Sequence, residues 1–83
     1  MVLPPLGQLG PALRQLRRLR GLQQQELARR AGFTRPQLSG YERGHHFPSL
    51  PSLWRHLDAL GADLAYLERT MHQRADLARE RWP

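Results

Sequence analysis

The chain has 83 residues, with 13 basic residues, all arginine, against 7 acidic ones, for a net charge of +6. That length suffices for one small domain with a thin core. The absence of cysteine excludes disulfides and thiolate metal sites, and no apolar run is long enough to cross a membrane.

Every segment reads as helix, and nothing alternates with a period of two. Met1 to Gly10, with Pro4, Pro5 and two glycines, reads as a loose arm. It has neither the leading positive charge nor the apolar block of a secretion signal, so the protein is expected in the cytoplasm, near the nucleoid. Pro11 suits the first turn of a helix, in which Leu9, Leu13 and Leu16 mark one face and Gly21 is the stop. A second helix runs from about Gln24 to Ala31, with Leu27, Ala28 and Ala31 inward. Gly32 closes it, and Phe33 is a core residue in the turn.

The third helix, Arg35 to Arg43, carries Pro36 and Gly40, which are poor helix formers. Thr34 followed three residues later by Gln37 has the form of a capping box. Pro36 then falls in the first turn, where an amide N–H has no intrahelical partner to lose. Leu38 and Tyr41 share the inward face, and Gly44 is the stop. Ser49 reads as the N-cap of a fourth helix, with Pro51 in its first turn. Leu50, Leu53, Leu57 and Leu60 form its stripe, Trp54 is assigned to the core, and His56 to the surface. Asp63 caps a fifth helix with Leu64, Leu67 and Met71 inward. It continues to about Arg81, its weaker end extended by Ala75, Ala78 and Trp82. The expected organisation is an arm over 1–10, a domain over 11–71 and a helical tail over 72–83.

The charge is uneven. From Arg14 to Arg43 there are eight arginines and two glutamates, whereas from Arg55 to Arg81 five arginines meet five acidic residues. The excess lies in the first half, for which a polyanion is the natural partner. Two short helices joined by a tight glycine-containing turn, Gln24–Ala31 and Arg35–Arg43, make a helix-turn-helix. Small Ala28 lets them approach closely. A second helix so supported can enter the DNA major groove with its N-terminal end on the bases.

The run RRLRGLQQQELARRAGFTRPQLSGYERG, followed by FPSL and DALGADLAYL, closely resembles the XRE family, the lambda-repressor and Cro-like helix-turn-helix domains. The resemblance spans Leu13 to Leu67. It rests on Arg17 four before Gly21, Gly21-Leu22, Gln24, Leu27-Ala28, Gly32, Glu42 then Gly44, Pro48 and Leu60-Gly61. It implies an all-α, five-helix domain that binds double-stranded DNA, as a homodimer on a pseudo-palindromic operator, and acts as a transcriptional regulator, commonly a repressor. It gives Arg35, Pro36, Gln37 and Gly40 base-facing positions. Gln24 corresponds to a glutamine that grips a phosphate and braces the reading helix. Gln23, Thr34, Ser39, Arg43, His45 and His46 fall on phosphate-contacting positions, and Arg17 and Glu42 on a structural ion pair.

On that basis Gly40 is expected to leave the helix surface bare for close approach to the bases, with Pro36 against a thymine methyl. Arg35 is expected to read guanine. Family members with polar residues at the Pro36 and Gly40 positions would read more, so this chain is expected to lean on DNA shape as well. Adjacent His45 and His46, lacking a third ligand at set spacing, are a poor metal signature. No activated nucleophile or carboxylate pair is apparent, so no enzyme activity, metal or cofactor is expected. The competing function is a protein-binding module, such as the antitoxin of a toxin–antitoxin pair, gripping a toxin or anti-repressor through the arm and the tail.

Overall fold

The computed structural model describes residues 4–80. Among them are five α-helices: α1 (Leu9–Leu19), α2 (Gln24–Ala31), α3 (Arg35–Arg43), α4 (Leu50–Leu60) and α5 (Leu64–Glu80). None is long and apolar enough to cross a membrane. Leu13 and Leu16 of α1, Leu27 and Ala28 of α2, and Leu38 and Tyr41 of α3 close on Leu57, Leu60, Leu67 and Met71 of α4 and α5 in one core. Full burial of each such leucine contributes about 1.5–3 kcal/mol. α1 packs on α3 and α5, while α2 packs on α3 and α4.

The start of the chain differs from the expected loose arm. Leu6–Gln8 form a 3-10 turn that leads directly into α1 and packs on α5. Leu9 and Gly10 are buried. Arg74 of α5 holds this end: its Nε donates to Gln8 Oε1 at 3.1 Å and its Nη1 to Gln15 Oε1 at 2.7 Å. The expected tail is therefore the continuation of α5, up to Glu80. Trp82, expected to extend the weaker end of the fifth helix, lies outside the described residues, as do Met1–Leu3.

Gly10 is where α1 meets α3. A Cβ there would lie 2.5 Å from the Tyr41 carbonyl oxygen and 2.7 Å from that of Glu42. These are backbone atoms at the end of α3 and cannot swing aside. Gly10→Ala should therefore destabilise the fold by about 1–3 kcal/mol, as overpacking does, although alanine is the better helix former. A urea midpoint equal to or above that of the parent would contradict this packing.

α4 is rotated relative to the expected stripe. Leu57 and Leu60 are buried, but so are Ser52 and His56, while Leu50 is 66% and Trp54 53% exposed. The buried positions 52, 56, 57 and 60 follow helical spacing. Two of them are polar residue types, which hid the register. Ser52 is satisfied locally: its Oγ accepts from Ser49 Oγ at 3.0 Å, and its backbone N donates to Ser49 Oγ at 3.2 Å in the expected cap. Leu64, also expected inside, is 48% exposed.

Candidate nucleic-acid interface

α2 and α3 are joined by a turn in which Gly32, at φ 78°, takes the left-handed conformation. The Phe33 N–H returns to the Ala28 carbonyl at 2.8 Å, the closing bond of a Schellman-type stop. The capping box is present. Thr34 Oγ1 accepts from Gln37 N and Gln37 Oε1 accepts from Thr34 N, both at 3.2 Å. With its first turn fixed, α3 presents Arg35, Pro36 and Gln37 to solvent. Gln37 is engaged by its own helix start, so its Oε1 would have to leave Thr34 to reach a base.

At the opposite end of α3 lies a polar network spanning three helices. Arg17 of α1 meets Glu42 of α3 bidentately, Nε to Oε2 at 2.7 Å and Nη2 to Oε1 at 3.1 Å. Arg17 Nη1 donates to the Leu22 carbonyl at 2.8 Å. Gln24 Nε2 donates to Glu42 Oε1 at 3.0 Å. An amide nitrogen carries two hydrogens, so Gln24 keeps one for a further acceptor while Glu42 fixes its orientation. Gln23 is exposed beside it, Ser39 is half-buried, Arg43 is exposed at the end of α3, and Gly44, His45 and His46 are exposed past it.

The arginines divide by role. Arg20 Nε donates to the Leu60 carbonyl and its Nη2 to the Gly61 carbonyl, each at 3.0 Å, which caps α4. Arg55 Nε donates to the Ala31 carbonyl at 3.1 Å and caps α2, its guanidinium also lying over the Phe33 ring at 5.1 Å. Arg30 pairs with Glu26 at 2.6 Å. Arg14, Arg18, Arg29, Arg35 and Arg43 make no side-chain hydrogen bond or ion pair with another described residue, and all are exposed. Charge counting credited the basic half with Arg17 and Arg20, which the fold uses itself. The signal for Arg20 and Arg55 is a helix end with open carbonyls elsewhere in space, and sequence spacing does not carry it.

Two placements correct the expected site. Gly40 is not bare: it is buried, because the His46 imidazole lies where its Cβ would be. His56 is not a surface residue. It is 0% exposed, with the Phe33 ring centroid at 5.6 Å and that of Tyr41 at 6.2 Å. Neither ring nitrogen has a hydrogen-bond partner among the described residues. Burial pushes its pKa down from 6.5 to about 4, with Glu42 opposing and Arg17 adding to the effect.

Residues 13–67 match the family model described as Helix-turn-helix. An HTH-type transcriptional regulator of Sinorhizobium fredii, y4dJ, is 40% identical over 53 residues, covering 64% of this chain and 69% of that one. Among solved structures, the clp gene regulator ClgR of Corynebacterium glutamicum superposes with a TM-score of 0.78 at 33% identity, covering 87% of this chain and 95% of that one. The restriction-modification controller protein C.AhdI of Aeromonas hydrophila gives 0.71 at 35% identity, covering 75% and 94%. With its five helices and its central helix-turn-helix, this chain belongs to the XRE family of helix-turn-helix DNA-binding transcriptional regulators.

Proposed function

We propose that the chain is a repressor that binds a pseudo-palindromic operator as a homodimer, with the N-terminal end of α3 in the major groove. The observation that carries this reading is the exposed Arg35-Pro36-Gln37 edge on a capped helix start, with the other end of α3 tied to α2 through Gln24 and Glu42. Arg35 is free to reach guanine O6 and N7. The spare N–H of Gln24 and the N–H groups at the start of α2 suit a phosphate on one side. Arg43 and His45, with Gln23, Thr34 and Ser39 nearer α3, suit the backbone around it. The likeness to a clp gene regulator and a restriction-modification controller supports control of transcription at specific sites.

For the dimer, the supporting observation is an apolar surface made by Trp54 of α4 and Leu64 of α5, which border one hollow with Ala62 next to exposed Leu50. A homodimer on two half-sites must hold its two α3 helices about 34–36 Å apart, one turn of DNA, and this surface is the one proposed to join the copies. Trp54→Ala should shift the chain from dimer to monomer in sedimentation velocity without unfolding it, since Trp54 lies outside the core. A parent chain that is monomeric at high concentration would remove the homodimer and turn attention to a different protein on this surface.

Readout is tested by two substitutions. Arg35→Ala should relax preference at one position of each half-site, with a loss of about 1–3 kcal/mol of discrimination. Gln24→Ala should weaken binding to all sequences alike. An Arg35→Ala variant that still selects the parental sequence would contradict the readout.

A further inference from the structure

Gly40 and His46 form a fitted pair that the roles above do not use. α3 ends on Gly44 in the left-handed conformation, φ 76°. The Gly44 N–H returns to the Tyr41 carbonyl at 3.2 Å and the His45 N–H to the Gly40 carbonyl at 3.0 Å. This stop folds the chain back along α3. It lays the His46 ring over Gly40, in the space of the missing side chain, and sets it edge-to-face against Tyr41, with centroids 5.0 Å apart and planes at 76°. Tyr41 is buried in the core, so its ring is a fixed wall. His46 itself stays exposed, and no hydrogen bond to a described residue occupies its nitrogens.

The position matters because Pro36 and Gly40, four residues apart, lie on one line of the helix surface. A side chain at the Gly40 position would be the next group along that line after Pro36. From the protein side, Gly40 supplies none, and His46 fills its place from the loop.

We infer that His46 is a specificity-determining residue: seated in the notch at Gly40, its imidazole donates a hydrogen bond to a purine acceptor in the major groove, with guanine N7 or O6 as the best match. The inference rests on the major-groove reading of α3. A neutral imidazole has one N–H donor and one acceptor nitrogen. Guanine presents two acceptors in the major groove, whereas cytosine presents an amino donor there. An unhindered phosphate contact would not need a glycine beneath the ring. A base contact needs the ring held at a fixed height on the helix, and the notch with its aromatic wall provides that.

The test is selection from a randomised duplex pool by the full chain and by His46→Ala and Gly40→Ala. His46 is an exposed loop residue, so its removal leaves the fold intact. The atoms that a methyl at Gly40 would meet belong to a ring that can swing out, and alanine favours the helix, so Gly40→Ala should melt no lower than the parent. The parent is expected to select a purine at one position of each half-site that Arg35→Ala leaves unchanged. Both variants should lose that preference, by about five- to tenfold for a single hydrogen bond to a base. The double variant should lose no more than either alone. In proton NMR spectra, Gly40→Ala should move the His46 ring signals towards those of a free histidine. The inference is overturned if His46→Ala leaves every preference in place, or if it weakens all sequences alike as a phosphate contact would. It is overturned equally if Gly40→Ala displaces the ring and the purine is still selected. A parent chain that binds duplexes without selecting any sequence would instead remove the major-groove reading, and this inference with it.

Discussion

Glu42→Ala should destabilise the domain by about 3–5 kcal/mol, the cost of removing one partner from a buried ion pair. The Glu42 side chain is 1% exposed and that of Arg17 9%, so without the carboxylate the guanidinium loses its Nε and Nη2 acceptors with little access to water. Its remaining bond, to the Leu22 carbonyl, does not neutralise it. For a domain of this size the loss corresponds to a melting temperature lower by roughly 12 °C or more. Replacing both partners with apolar residues, Arg17→Met with Glu42→Leu, should cost clearly less than Glu42→Ala alone, because no buried charge is then orphaned. A double variant as unstable as the sum of the two single changes would show that the pair is not the unit of stability. Glu42 also holds Gln24, so Glu42→Ala should weaken DNA binding even at temperatures where the variant is folded. That second loss should be the same for all sequences.

Acid should unfold the domain through His56. Its pKa falls from 6.5 to about 4 on folding, so between those values the unfolded chain binds a proton that the folded chain does not. Stability is then complete above pH 6.5, declines as the pH falls through this interval, and has lost about 3 kcal/mol near pH 4. The dominant cause is burial between aromatic rings, with no acceptor among the described residues for a second N–H. The facing Glu42 favours the proton, but it is already neutralised by Arg17. His56→Leu should remove this part of the acid slope. At pH 7 it should be at least as stable as the parent, since it deletes a buried N–H without a partner. Urea midpoints measured at pH 7, 5.5 and 4.5 for both chains would decide the matter. An unchanged slope in His56→Leu would assign the acid sensitivity elsewhere.

Much of this molecule was legible before its structure, and the parts that were not have identifiable causes. The start of α3 could be read because its information is local: Thr34, Pro36 and Gln37 specify one turn among themselves. The inward faces of α1 and α2 could be read because, Arg17 apart, their buried positions are apolar. The register of α4 could not, since Ser52 and His56 are buried polar residues and Leu50 and Trp54 are exposed apolar ones. Gly10 passed for a loop glycine because its reason to be glycine is a carbonyl on another helix. At the candidate site, the expected ion pair came from the family resemblance, whereas the bond from Gln24 to Glu42 and the seating of His46 on Gly40 needed coordinates. His46 in particular reaches back six residues through a left-handed turn, and a search along the sequence for i, i+3 or i, i+4 partners passes over it.

Fluorescence anisotropy on two duplexes, the region upstream of the chain's own gene and a scrambled copy, across a salt series tests the central claim most directly. Specific major-groove readout predicts tight binding of the upstream duplex at physiological salt, with the scrambled one about a thousandfold or more weaker. The affinity for both should fall as salt rises, at a slope set by the phosphates contacted. Equal affinity for the two duplexes, fading together with salt, would contradict it, and would leave a basic surface that holds DNA without reading it.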